Sequence, residues 1–166
     1  MKSCIFITRS SAFYPQLDCQ NIEFLFLFLF IRKMYWSDWN SPAKIEVANM
    51  DGTARDILVQ GGGLIWPNGL AIDYQSRKLY WADAWTDYIE CAEFDGSNRT
   101  VIVKGLTHPF GLDVDNGFVY WTDWRSENIQ RASISDPSSL VVLRSGLKYL
   151  MEIRVYDPKR QTGWLC

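Results

Sequence analysis

The stretch "VYWTDW" at Val119–Trp124 decides the fold, because two near copies of it stand earlier in the chain. These copies are "MYWSDW" at Met34–Trp39 and "LYWADAW" at Leu79–Trp85. Each contains Tyr-Trp, a small residue and Asp, and a further tryptophan follows one or two residues later. The tyrosines of successive copies are 45 and 40 residues apart. A recurrence at this spacing indicates a structural repeat.

Other elements recur around these copies in the same order. "WPNGLAID" at Trp66–Asp73 is answered by "HPFGLDVD" at His108–Asp115 and, more faintly, by "YLMEIRVY" at Tyr149–Tyr156. Asp-Gly pairs at 51–52 and 95–96 supply turn chemistry. The segments between turns are short and rich in β-branched and aromatic residues, which predicts strands. Four short strands in roughly 42 residues are typical of one β-propeller blade.

The sequence therefore predicts an all-β fold with about three four-stranded blades, the C-terminal half of a six-bladed propeller. We expect the blades to occupy residues 34–66, 67–108 and 109–148, and residues 149–156 to form the first strand of the next blade. An isolated half-ring would expose apolar blade faces and unpaired edges. We therefore expect the chain to be part of a longer protein.

Residues 1–33 form an atypical N-terminal segment. Its apolar run "FLFLFLFI" at Phe24–Ile31 is too short to span a bilayer, which needs roughly 20 apolar residues. The run also lies late for a signal peptide and lacks a small-residue cleavage site after it. Three interpretations stay open, namely a gene-model or truncation artefact, a buried strand, or a targeting segment.

Composition excludes several classes of function. The net charge is −2 at pH 7 and the pI is about 5.4, so there is no basic field to attract nucleic acid or anionic lipid. Four cysteines are scattered without a Cys-x-x-Cys pair, so no zinc or redox motif is visible. We expect no cofactor and no metal site.

The repeats resemble the YWTD, or class B, repeats of the low-density lipoprotein receptor family. The residues that match are Tyr35-Trp36-Ser37-Asp38, Tyr80-Trp81-Ala82-Asp83 and Tyr120-Trp121-Thr122-Asp123. The resemblance implies an extracellular, non-catalytic module that binds protein ligands. It is greatest to the receptor-related proteins that act as Wnt co-receptors or as the agrin receptor. Wnt-type proteins, agrin-type proteins and secreted antagonists are the ligands that it implies.

The resemblance also implies features of the parent protein. We expect that protein at the extracellular face of the plasma membrane, anchored by a segment that this sequence does not contain. Residues 157–166 resemble the exit from a propeller toward an EGF-like module, with Cys166 as its first cysteine. An endocytic lipoprotein-type receptor and a matrix protein with the same repeats are the alternatives. A calcium-dependent hydrolase is the rival of another class, since some six-bladed propellers are enzymes.

The residues of the repeated motif are expected to be structural. Equivalent positions in successive blades are distributed around the ring axis, so their carboxylates are not gathered at one substrate. A buried Asp that accepts main-chain hydrogen bonds between adjacent blades explains its presence in each copy. The set comprises Tyr35, Trp36, Asp38, Tyr80, Trp81, Asp83, Tyr120, Trp121 and Asp123.

Loop residues at one end of the blades are the candidates for ligand binding. Loops at the same end of successive blades collect on one face, and aromatic side chains there are typical interface anchors. The predicted ligand-binding face comprises Trp66, Asn68, Trp85, His108, Phe110 and Trp124. Trp39 holds the related place in the first blade. Packing within or between blades is the alternative role for each of these side chains.

Two further residues carry separate predictions. His108 is the single histidine of the sequence, and family propellers use histidines for acid-dependent ligand release, although a loop histidine often has no such role. Asn98-Arg99-Thr100 is an N-glycosylation sequon in a predicted hairpin.

Overall fold

The computed structural model describes the backbone of Ile22–Phe28 and residues 33–156. These residues form twelve β-strands and one short 3-10 helix, Pro137–Ser139. The strands are β1 Ile22–Phe28, β2 Lys33–Asp38, β3 Lys44–Asn49, β4 Asp56–Gln60, β5 Pro67–Asp73, β6 Lys78–Asp83, β7 Tyr88–Glu93, β8 Thr100–Val103, β9 Pro109–Asp115, β10 Phe118–Asp123, β11 Asn128–Ser133 and β12 Val141–Ser145.

The strands form three four-stranded sheets, ordered β1-β2-β3-β4, β5-β6-β7-β8 and β9-β10-β11-β12. Within each sheet every strand pairs antiparallel with the next along the chain. Each Tyr-Trp-x-Asp copy lies on the second strand of its sheet. The predicted all-β architecture of propeller blades is confirmed, and each sheet is one blade.

The first strands of the second and third blades lie side by side. A Cβ added to Gly69 on β5 would lie 2.6 Å from the main-chain nitrogen of Leu112 on β9. Only a glycine permits so close an approach of two backbones. The glycine of the recurring Pro-x-Gly-Leu is therefore required for the first strands of adjacent blades to pack together.

A bulge in each of these first strands sets the direction of two side chains. Pro67 pairs with Asp83 and Leu70 with Trp81, so two residues of β5 oppose one residue of β6. β9 repeats the irregularity opposite β10. Because a bulge breaks the alternation of side chains, residues next to it leave the face that a regular strand would give them. Asn68 lies within the β5 bulge.

Apolar side chains fill the space between blades at equivalent positions. Tyr35 and Ile45 of the first blade pack against Trp81 of the second, and Tyr80 and Ile89 of the second occupy the same places toward the third. Each of these side chains is at most 1% exposed. Burial raises the pKa of Tyr80 to about 12. Tyr35, Tyr80, Trp81 and Trp121 of the motif copies therefore form contacts between blades.

The two ends of the described chain refine the expected boundaries. The sequence predicted that the first blade starts at residue 34. The sheet instead begins earlier, because β1 pairs with β2. Residues 149–156 form no regular strand, although they lie against β9 as a next first strand would. Val155 N–H donates to Asp113 Oδ2 at 2.6 Å, and an Arg154 guanidinium N–H donates to the Leu112 carbonyl at 3.1 Å. The predicted exit segment 157–166 lies outside the described residues.

Across the part of the chain that the structure describes, we find no helix of sufficient length and hydrophobicity to cross a bilayer.

Candidate ligand-binding surface

Asp83 fixes two loops at one end of the second blade. Its Oδ2 accepts the main-chain N–H groups of Ile65 at 2.8 Å and Trp66 at 3.2 Å. Its Oδ1 accepts those of Trp85 at 2.9 Å and Thr86 at 3.1 Å. The first loop is the connection from the previous blade and the second joins β6 to β7. One fully buried carboxylate therefore sets the backbone of both tryptophans.

Asp123 repeats this arrangement in the third blade. Its Oδ2 accepts the main-chain N–H groups of Thr107 at 3.1 Å and His108 at 2.9 Å, and its Oδ1 accepts Ser126 N–H at 2.9 Å. The Thr107 hydroxyl also donates to Oδ1 at 2.6 Å. Burial raises the pKa of Asp123, but the hydrogen bonds together outweigh it and hold the pKa below its ordinary value. The carboxylate is charged in the folded protein at neutral pH.

Asp38 makes a different set of contacts in the first blade. Its Oδ1 accepts Asn40 N–H at 2.8 Å, and its Oδ2 lies 3.5 Å from the Lys44 ammonium. The loop that would correspond to the segment before β5 lies outside the described residues. The main-chain hydrogen bonds expected of the motif carboxylates are thus seen in full at the second and third blades.

Four aromatic side chains held by these loops, Trp66, Trp85, His108 and Trp124, form one continuous row, here called the aromatic row, and Phe110 of β9 packs beneath it. Trp85 contacts Trp66 edge to face with ring centroids 4.8 Å apart, and Trp66 lies 6.4 Å from His108. His108 lies 5.9 Å from Trp124, which stacks on Phe110 at 4.3 Å with an interplanar angle of 11°. These separations are those of interacting aromatic pairs. The row joins residues that lie up to 58 positions apart in the sequence, from 66 to 124.

Three members of the aromatic row expose much of their surface. Trp85 is 56% exposed, Trp124 41% and Trp66 38%, and His108 is half-buried. Neighbouring exposed aromatic rings are uncommon on a surface without a binding role. The Trp124 indole N–H donates to the Leu150 carbonyl, so its ring faces rather than its polar atom remain for contact.

Two predicted members of the ligand-binding face lie beneath the surface instead. Asn68 is 3% exposed, and its amide donates to the Pro109 carbonyl at 3.4 Å, so the prediction that it faces a ligand is wrong. Phe110 is 4% exposed and supports Trp124 from below. Both residues lie within the first-strand bulge, which turns their side chains toward the interior.

Comparison with known proteins identifies the family of these repeats. The model of the low-density lipoprotein receptor repeat class B matches residues 32–74 and 77–115. The chain carries low-density lipoprotein receptor class B repeats. It is 43% identical over 125 residues to low-density lipoprotein receptor-related protein 5 of Homo sapiens. The aligned region covers 75% of this chain and 8% of that protein. The chain thus spans a small part of that relative.

Solved structures agree with this assignment. The structure of the nidogen/laminin complex contains a chain with a TM-score of 0.67 and 33% identity, covering 75% of this class B repeat chain and 46% of the matched one. A gluconolactonase from Xanthomonas campestris has a TM-score of 0.63 over 82% of this chain and 50% of its own, at 16% identity. At that identity the second likeness shows the fold alone.

Polar groups of the second blade lie next to the aromatic row. Thr86 Oγ1 and Asp87 Oδ1 are buried without a hydrogen-bond partner among the described residues. Burial raises the pKa of Asp87, and His108 and Arg125 offset part of that rise while Asp123 and Asp83 add to it. Buried polar atoms without a protein partner commonly bind an ordered water molecule.

The class B repeats contain a structural network that the sequence prediction missed. Trp81 Nε1–H donates to Glu90 Oε2 at 3.1 Å. Arg99 binds the same carboxylate through Nε at 3.0 Å and Nη2 at 2.8 Å, and its guanidinium lies 5.6 Å from the Trp81 ring centroid. The first blade repeats this network with Trp36, Glu46 and Arg55. The signal for it was an Ile-Glu pair followed nine residues later by Arg.

The third blade lacks this network. Gln130 takes the place of the glutamate opposite Trp121, and Trp121 Nε1 is buried without a partner among the described residues. The Gln130 amide donates instead to Asn128 Oδ1 at 2.7 Å. The three blades are therefore alike in backbone, but the central tryptophan of the third blade lacks the polar contacts of the other two.

Proposed function

We propose that the chain is a non-catalytic, extracellular ligand-binding module of a low-density lipoprotein receptor-related cell-surface receptor. The aromatic row is the surface that contacts the ligand. The observation that carries the proposal is the contact of Trp66, Trp85, His108 and Trp124, supplied by two adjacent blades, in one exposed row.

The geometry supports a role in binding proteins. Tryptophan side chains bury large areas at little cost in conformational entropy, and they dominate the energy of many protein interfaces. Here the buried carboxylates of Asp83 and Asp123 fix the loops that bear the rings. A surface that is already ordered loses less conformational entropy on binding. The row therefore suits a partner with a complementary apolar side chain.

The receptor assignment rests on the 43% identity to a human receptor-related protein. Together with the resemblance of the repeats to Wnt co-receptors and the agrin receptor, it favours a role in signalling by Wnt-type or agrin-type ligands. The ligands would be those secreted proteins or their secreted antagonists. A parent protein at the plasma membrane follows from the same proposal.

A binding panel tests the proposal. The full chain, secreted from animal cells, is titrated against an immobilised Wnt-type protein, an agrin-type protein and a secreted Wnt antagonist. We expect at least one to bind, and we expect Trp66→Ala with Trp124→Ala to remove most of that binding. Tyr74→Ala is the matched control, because Tyr74 is a 46% exposed aromatic residue in the loop between β5 and β6, at the other end of the blade. Absence of binding to all three ligands contradicts the receptor proposal.

A matrix protein with the same repeats is the second candidate. The observation that favours it is the 33% identity to a chain of the nidogen/laminin complex. Laminin is therefore added to the panel as a fourth immobilised protein. Binding to laminin alone, lost on substitution of the aromatic row, would reassign the module to the matrix class while keeping the surface.

A further inference from the structure

We propose that Asn98 is an N-glycosylation site, and that its glycan stands at the end of the blade opposite the aromatic row. The proposal rests on the extracellular location proposed above, because the sugar donor is met in the lumen of the secretory pathway. The sequon Asn98-Arg99-Thr100 supplies the required spacing of amide and hydroxyl.

The hairpin presents the two reacting positions of the sequon outward and its middle residue inward. Asn98 and Thr100 are exposed, whereas the Arg99 side chain binds Glu90 and is 20% exposed. The Asn98 side-chain amide makes no hydrogen bond to another described residue. The Thr100 hydroxyl donates to the Asn98 main-chain carbonyl at 3.1 Å. A glycan on Asn98 therefore displaces no contact of the described fold.

The backbone at this position also suits asparagine. Asn98 has a φ of +53°, in the left-handed region where Asn is enriched among non-glycine residues. The related hairpin of the first blade places Ala54 in the same conformation, with a φ of +50°. The two hairpins are thus alike in geometry, and the first one lacks a sequon. This pair supplies a matched control position.

Strand direction places the glycan away from the ligand-binding surface. β6 ends at Asp83, beside the aromatic row, and β7 runs antiparallel to it from Tyr88 to Glu93. The hairpin that bears Asn98 follows β7, so it lies at the far end of the sheet. Six residues of strand separate the two ends by about 20 Å. The modification would leave the row open to a protein ligand.

The chemistry is transfer of an oligosaccharide from a polyprenyl diphosphate carrier. Asn98 Nδ2 forms a bond to the anomeric carbon of the first N-acetylglucosamine, and the bond from that carbon to the diphosphate oxygen breaks. The diphosphate leaves with the electron pair, and the amide nitrogen loses one proton. A transferase of the host membrane catalyses the step, and the chain supplies only the acceptor.

The test is expression of the full chain behind a cleavable secretion leader in animal cells. We expect one discrete glycoform that peptide N-glycosidase removes, leaving Asp at position 98 in peptide mass spectrometry. Asn98→Gln and Thr100→Ala should each abolish it, and Thr100→Ser should retain it. Wild-type chain that carries no glycan at Asn98 overturns the proposal.

A control sequon shows whether a missing glycan at Asn98 reflects that site alone. Ala54→Asn with Asp56→Thr builds the sequon in the matching hairpin of the first blade. Modification at position 54 without modification at Asn98 overturns the glycosylation proposal alone and leaves the extracellular assignment in place. Lack of modification at both positions also overturns the glycosylation proposal, whereas the extracellular assignment is judged by the binding panel, because the added leader imposes the secretory route in this test.

Discussion

Trp66 and Trp85 contact each other edge to face, with ring centroids 4.8 Å apart, and the main-chain N–H groups of both donate to the carboxylate of Asp83. The repeated Asp of the class B motif is therefore buried and structural in its contacts, yet it determines where two exposed rings lie. The same relation recurs at Asp123 with His108.

Asp83→Asn should destabilise the second blade and disturb the aromatic row. The amide keeps one acceptor oxygen where the carboxylate offers two, and its NH₂ group faces N–H donors. Lost hydrogen bonds to a charged group cost about 1.5–3 kcal/mol. Chemical denaturation of purified chains measures the loss. Asp56→Asn is the control, because Asp56 is exposed and accepts one bond, from Ile57 N–H. Equal stabilities of the two variants would contradict this role of Asp83.

Asp123 should make stability depend on pH in the acid range. Its folded pKa lies below the ordinary value of 3.8. The carboxylate therefore contributes stability that is fully present above the unfolded pKa and is lost as pH falls through the folded pKa. Asp123→Asn should flatten the fall in unfolding free energy below about pH 4. Identical pH profiles for wild type and variant would show that the hydrogen bonds of Asp123 do not stabilise its charged form.

Glu90→Gln should cost about 1.5–3 kcal/mol in unfolding free energy, because Arg99 loses a charged, bidentate partner. The reverse change in the third blade should not stabilise the protein. Gln130→Glu buries a carboxylate where Leu140 stands in the place of the arginine, so the charge lacks its partner. Denaturant titration of both variants checks the pair. A more stable Gln130→Glu chain would contradict the view that arginine is the necessary third member.

Gly69→Ala should separate the first strands of two blades. The new Cβ would lie 2.6 Å from Leu112 N, and main-chain atoms cannot give way as a side chain can. Overpacking of this kind costs about 1–3 kcal/mol. Gly52→Ala is the control, since a Cβ there meets open space although its φ of +82° is unfavourable. Thermal unfolding should show the larger loss for Gly69→Ala, and the opposite order would contradict the close approach of β5 and β9.

The repeat pattern predicted much of the fold and the proximity of four side chains in the aromatic row. Ordered recurrence fixed which strand carries each Tyr-Trp-x-Asp copy, and equivalent loops necessarily share one end of adjacent blades. That reasoning brought Trp66, Trp85, His108 and Trp124 together before any coordinates. That prediction depended on the position of each residue within its repeat, because the four side chains come from different loops.

The sequence could not show which side chains turn inward. Asn68 follows Trp66 by two residues, and regular strand alternation would place both on one face. The bulge in β5 breaks that alternation and buries Asn68 against Pro109. A bulge of this kind depends on pairing with β6, which the pattern of residues in β5 does not reveal.

The most direct measurement of the central claim is the affinity of Trp66→Ala for whichever secreted protein binds the wild-type chain, beside that of Tyr74→Ala. Both residues are exposed aromatics, at 38% and 46%, and lie at opposite ends of the second blade. A hot-spot tryptophan contributes at least about 2 kcal/mol, so Trp66→Ala should weaken binding roughly 30-fold and Tyr74→Ala hardly at all. Equal affinities for the two variants would contradict the assignment of the aromatic row as the ligand-binding surface.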